Sequence, residues 1–289
     1  MAPLASHSGH GFLRCPVCRL DLTVAAGSLV CLHRHSFDLA REGYVNLLRS
    51  RRHRPADGGD GPVQLEYRRA FLDAGYFDAV ASAITTHVQH EGEKPEGGCW
   101  HVLDCGFGTG HHLAKIEAAL SLPVIGLGLD ISKDAPRRAA RRWPGLAFAV
   151  ADLWAEWPVK DATFDLAISV FAPRNFPEAA RVLRRGGWIA VAYPGSEHLR
   201  ELRHRFGLLD HQVHKSERLI AAANRLVGPP TIVRHHREVI LEGAAVRAAI
   251  MMGPNAHHIE PSKLAAEMGP TAVTFDIAIL LAQTRERMS

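Results

Sequence analysis

Aromatic side chains make up only 7% of these 289 residues, cysteine occurs five times, and the formal charge is a modest +4 with the 18 histidines neutral. Each scarcity excludes something. No window approaches the roughly 18 uninterrupted apolar residues of a membrane-spanning helix. The opening MAPLASHSGH has neither the basic start nor the apolar run of a secretory signal. There is no internal repeat and no low-complexity tract. An odd number of cysteines, three of them between positions 15 and 31, fits metal ligation in a reducing compartment better than a disulfide framework. The expectation is a soluble cytoplasmic protein with no membrane partner. Its charge permits a nucleic-acid partner without demanding one. At 47% apolar there is material for one large core or two modest ones.

What is present divides the chain into zones. Residues 1–11 are small and polar and read as a mobile tail; 12–48 hold the cysteine cluster; 49–63 have the Arg, Gly and Pro content of a linker. Residues 64–289 alternate apolar bursts with helical spacing. Cys15 and Cys18 form C-x2-C, and Cys31 and His35 form C-x3-H thirteen residues later. Two thiolates from one tight turn and a second pair from another can close a tetrahedron around a structural zinc, leaving no open position for catalysis. Pro16 and Gly27 suit the turns, and LDL and SLV suit the short strands of a ribbon. Cysteines buried as small hydrophobes and a redox C-x-x-C are the competing readings. His33 competes with His35 as the fourth ligand.

Five apolar runs follow: WHVLDCG, VIGLGLDI, LAFAVAD, DLAISVFA and GGWIAVAYP. Helical stretches such as HHLAKIEAAL separate the first of them, which is the rhythm of a parallel, doubly wound α/β sheet. After the first run, Asp104 precedes Gly106, Gly108 and Gly110, and a helix opening near His112 follows. Glycines there let the backbone turn sharply and approach a ligand. The D-x-G-x-G-x-G pattern resembles motif I of class I, Rossmann-like S-adenosylmethionine (SAM) methyltransferases; a dinucleotide fingerprint has different spacing, G-x-G-x-x-G. Asp130, about twenty residues on, is placed to accept ribose hydroxyls. Asp152 and Leu153 stand where methyltransferases of this kind meet the adenine. Each acid alone reads equally well as a solvated strand end. A dehydrogenase, the rival on such a sheet, needs a nicotinamide half-site that is not found.

Strand ends further on face the acceptor. Phe171, Arg174 and Asn175 end one run, Tyr193 ends the next, and His198 follows. Aromatic and amide groups there can stack on a flat base and read its edge. No general base can be named; His198 and His112 are candidates, and each reads equally as a helix residue packed against the loop. RRAARR at 137–142 reads as a solvent face.

Together, the four metal ligands, FDLAREGYVNLL (37–48), RRAFLDAGYF (68–77), GTGHHLA (108–114), VFAPRN (170–175), HLREL (198–202), HK..RL (214–219) and MGP (252–254) resemble the RlmA family of 23S ribosomal RNA guanine-N1 methyltransferases, in particular its tylosin-resistance branch. The resemblance spans nearly the whole chain. It implies SAM and one structural zinc as cofactors, a 23S rRNA hairpin as partner, a macrolide-resistance role, and a homodimer whose zinc domains flank the RNA. Arg41, Arg49, Arg51, Arg52 and Arg54 are the matching phosphate-binding candidates, with a solvated linker as the alternative. Two departures bear on the acceptor. Asn255-Ala256-His257-His258 stands where relatives commonly carry a tryptophan, and GDGPVQLEYRR lacks the usual methionine-alanine pattern. A SAM-dependent enzyme redirected to a small molecule of natural-product biosynthesis is therefore the alternative function, and a ribbon protein that binds RNA without turnover is a third.

Overall fold

The computed structural model describes residues 8–48, 59–209, 215–257, 259, 264 and 269–284. Three short antiparallel strands, β1 (Thr23–Ala25), β2 (Ser28–Val30) and β3 (Ser36–Asp38), form the ribbon. Ala25 pairs with Ser28 across the two-residue turn Ala26-Gly27, whose φ values of 47° and 85° suit the right-handed twist of a tight hairpin. SLV is thus a strand as expected. LDL is not; its Asp21 makes an isolated bridge to Arg14, and the partner strand starts two residues later.

The five apolar runs become β5 (Trp100–Cys105), β6 (Val124–Asp130), β7 (Ala147–Val150), β8 (Phe164–Val170) and β9 (Leu183–Pro194), all parallel in the order β7-β6-β5-β8-β9. Every residue of β7 and β8 is buried. That is why they read as continuous apolar runs instead of alternating ones. Two long strands, β10 (Pro230–Leu241) and β11 (Thr271–Gln283), add antiparallel beyond β9, and β4 (Val45–Asn46) adds parallel to β7 at the opposite edge.

One face of the sheet carries α1 (Pro62–Asp73), α2 (Asp78–Glu91), α3 (His111–Ala119), α4 (Ala135–Arg142) and α8 (Gly243–Met251). The other carries α5 (Phe176–Val182) and α7 (Lys215–Leu226), and α6 (Arg200–Phe206) packs on β11. Among the described residues, no helix is long and apolar enough to cross a membrane.

The ribbon occupies the place of a helix. The crossover from β7 to β8, residues 151–163, contains none. The sheet face it leaves is covered by Phe12, Leu13, Leu29, Val45 and Leu47, all buried in one cluster with Trp157 and Val159. Burying each such aliphatic contributes roughly 1.5–3 kcal/mol. Leu13 bridges Val159 in antiparallel fashion, the Arg14 N–H donates to the Pro158 carbonyl (2.8 Å) and the Lys160 N–H to that of Phe12 (2.9 Å). The expected tail is corrected in part. Ser8–Phe12 form a 3-10 turn, and a Cβ on Gly9 would lie 2.6 Å from the Gly126 carbonyl, so this segment packs tightly on β6. Its small polar residues are what that close approach requires.

The RRAARR face is exposed but not idle. Arg137 and Arg141 bind Glu42, Arg138 binds Glu66 and Arg142 binds Asp73, joining α4 to the segment after the ribbon and to α1.

Candidate active site and metal centre

Two knuckles present the metal ligands. The Arg19 N–H returns to the Cys15 carbonyl (2.9 Å) and the Arg34 N–H to that of Cys31 (2.8 Å), with Arg19 and Arg34 left-handed at φ 67° and 63°. Cys15 Sγ and Cys31 Sγ lie 3.5 and 3.4 Å from His35 Nδ1, and Cys18 and Cys31 sulfurs are 3.6 Å apart. A zinc tetrahedron with bonds of about 2.0–2.3 Å has edges of about 3.3–3.8 Å. The donor set therefore fits zinc in size and chemistry, all four atoms lying within 4.8 Å of one another. Burial raises the Cys31 thiol, but hydrogen bonds from the His35 and His33 backbones and the Cys18 and His35 side chains bring it down to about 7. His33 stays outside the set, its ring 6.4 Å from that of His35.

The glycine loop lies between β5 and α3. Gly106, Gly108 and Gly110 all have positive φ. At Gly106 (φ 93°) a Cβ would sit 2.4 Å from that of Ala172, so neither the conformation nor the space admits a side chain. Asp104, 2% exposed, leaves Oδ2 without a protein partner, and burial, then the charge of Asp130, drives its carboxyl well above the usual range. Asp130 accepts the Gly108 N–H at Oδ2 and the Ser132 N–H at Oδ1, both at 2.8 Å; burial nonetheless holds its carboxyl above the usual carboxylate range. Thr109 Oγ1 and the Nδ1 atoms of His111 and His112 are also buried without partners. So many unsatisfied polar atoms around one loop call for a polar ligand. A cofactor with ammonium, hydroxyl and carboxylate groups fits them. Burial, then the neighbouring His111, holds His112 down at about 3, so it is neutral.

The Asp152 loop is fixed from several sides. Asp152 Oδ1 accepts the Trp154 N–H (2.9 Å), Leu153 is buried, and the Leu153 and Ala155 carbonyls accept from Asn175 Nδ2 (3.2 and 3.3 Å). Arg19 of the first knuckle pairs with Glu156.

The acceptor candidates do not converge. Phe171, left-handed at φ 52°, has its ring 5.3 Å from Phe77 and stacked 5.8 Å from His198. The Asp276 N–H donates to His198 Nδ1 (3.3 Å), which places the proton of the neutral ring on Nε2. Tyr193 belongs to the opposite face, with the Arg174 guanidinium 6.0 Å from its ring. Asn175 caps α5 by accepting the Glu178 N–H (3.3 Å). Arg174 and Asn175 thus build the loops, while Phe171 and His198 share a face with Phe77 and Phe275. Of the arginine group, Arg41 is exposed; Arg49, Arg51, Arg52 and Arg54 lie outside the described residues, as does His258.

Sequence reasoning gave no role to Phe77, Phe275 or Arg68, although RRAFLDAGYF was singled out. Arg68 lies over the loop, and only the fold brings α1 to it.

Residues 13–54 match the N-terminal zinc-ribbon family of RlmA, and 102–187 match a methyltransferase domain. A 23S rRNA (guanine(748)-N1)-methyltransferase of Streptomyces fradiae is 38% identical, covering 88% of this chain and 89% of its own. The chain belongs to the RlmA family of guanine-N1 methyltransferases. A Micromonospora griseorubida protein bearing the 23S rRNA guanine-N1 methyltransferase name is 39% identical over 94% of this chain and 97% of its own length. A malonyl-[acyl-carrier protein] O-methyltransferase of Dechloromonas aromatica is 30% identical but spans only 54% of this chain and 61% of its own. The solved structure of YcgJ from Bacillus subtilis, 14% identical, superposes with a TM-score of 0.51 over 72% of this chain and 99% of that one, and shares the fold. As an RlmA-family member the chain is a SAM-dependent methyltransferase with a zinc ribbon.

Proposed function

We propose that this chain transfers a methyl group from SAM to N1 of a guanine in a 23S rRNA hairpin. The observation that carries the reading is full-length similarity, ribbon included, to relatives named for that reaction. The similarity to a methyltransferase of another acceptor class stops short of full length. When bound, SAM supplies an electrophilic methyl on a sulfonium. The chain's part is to hold the two reactants in line, an arrangement that can contribute roughly 7–11 kcal/mol. Asp104, Gly106, Gly108, Gly110, His112, Asp130, Asp152 and Leu153 are the residues we assign to the cofactor. Phe171 and His198 are assigned to the acceptor side, where a ring can stack on an extruded base. Asn175, Arg174 and Tyr193 support from behind. The N1–C bond forms as the methyl–sulfur bond breaks, leaving S-adenosylhomocysteine, and the N1 proton passes to water.

Arg41 and the arginines at 49, 51, 52 and 54 are proposed to meet phosphate, in a cytoplasmic homodimer. Zinc ligation by Cys15, Cys18, Cys31 and His35 then fixes both the ribbon and the crossover loop beneath it. The test is incubation with methyl-labelled SAM and 23S rRNA fragments, then nucleoside analysis. Labelled 1-methylguanosine supports the reading, and its formation should fall steeply with salt. Label passing to a small-molecule acceptor while RNA stays unlabelled contradicts it.

A further inference from the structure

We propose that Arg68 binds the α-carboxylate of SAM and so selects cofactors that carry the amino-acid tail. This rests on the reading that the glycine loop holds SAM. Arg68 projects from α1 onto that loop: Nη1 and Cδ lie 3.4 and 3.6 Å from where a Cβ on Gly108 would be. Its guanidinium is held ready. Nη2 donates to the Met252 carbonyl (2.7 Å) and pairs with Asp60 (2.8 Å), while Nε is buried without a partner.

Charge decides which part of the ligand it meets. SAM carries two positive groups, the sulfonium and the ammonium, and one negative group. The buried acids Asp104 and Asp130 suit the cationic and hydroxyl parts, and a guanidinium beside them suits the carboxylate, which its planar fork grips in bidentate fashion. Asp60 does not cancel this, since a guanidinium has five donors. Asp60 is itself tied in, its carbonyl accepting the Ser132 hydroxyl (2.7 Å) next to Asp130. The contact also gives RRAFLDAGYF and MGP a shared purpose. Arg68 and Gln64 of α1 donate to Met252 and Gly253, so the end of α8 aims the arginine.

The experiment is calorimetry of wild type, Arg68→Ala and Arg68→Lys with two ligands: S-adenosylhomocysteine, which has the amino-acid tail, and 5′-methylthioadenosine, which lacks it. Arg68→Ala should weaken the first on the order of 10- to 100-fold and the second less than about threefold. Arg68→Lys should fall between wild type and Arg68→Ala for the first ligand only. Equal weakening of both ligands assigns Arg68 to packing and overturns the proposal, as does unchanged affinity for both. Wild type that binds neither ligand overturns the cofactor reading itself, and the proposal with it.

Discussion

His112 makes the protein's stability depend on pH in a calculable way. Its ring is 9% exposed and titrates near 3 in the fold against an ordinary 6.5. As pH falls below 6.5 the unfolded chain takes up a proton that the native ring refuses until about pH 3. The unfolded state then binds more protons, so stability is full above 6.5 and is lost on going down. Between 6.5 and pH 5 lie 1.5 pH units, which at 1.36 kcal/mol each give a loss of about 2 kcal/mol. His111, held below its ordinary value by burial against the pull of Asp78, acts in the same direction. The perturbation is His112→Gln, which keeps a polar side chain but does not titrate. The assay is urea unfolding of both proteins at about pH 7.5 and pH 5. Wild type should lose about 2 kcal/mol more than the variant over that interval. Equal losses would refute a neutral, buried His112 and with it the packing of α3 beneath the loop.

Other perturbations reach the same site from different directions. Gly106→Ala places a Cβ 2.4 Å from Ala172 at φ 93°, so it should cost roughly 1–3 kcal/mol and abolish SAM binding; unchanged calorimetric affinity contradicts the loop geometry. Asn175→Ala removes a cap and two bonds to the Asp152 loop, and should cost about 1–2 kcal/mol in chemical unfolding. Stripping the metal with a chromophoric chelator should release about one zinc per chain and weaken cofactor binding several-fold, since the ribbon braces residues 156–161. Release with no change in affinity separates the ribbon from the cofactor site.

The legible parts of the fold were those written in local pattern. β5 to β9 announced themselves because burial on both faces leaves no polar alternation, and the metal ligands because tight knuckles fix their spacing. The glycine loop was legible for the same reason, each glycine answering a local steric demand. The ribbon's position was not. Nothing near Leu13 says that it bridges Val159, because the crossover that lacks a helix lies about 140 residues away. Arg174 and Asn175 end a strand where an acceptor belongs, yet their side chains turn to the other face. His198 was legible as a candidate, but its tautomer depends on Asp276 in β11.

Methylation at N1 blocks the pairing edge of guanine, so primer extension gives the most direct test. On 23S rRNA incubated with the protein, reverse transcription should stop at one guanine, only when SAM is present, and not after Asp104→Ala. Read-through everywhere, with label nonetheless in the RNA, would place the methyl on another atom and contradict the assignment.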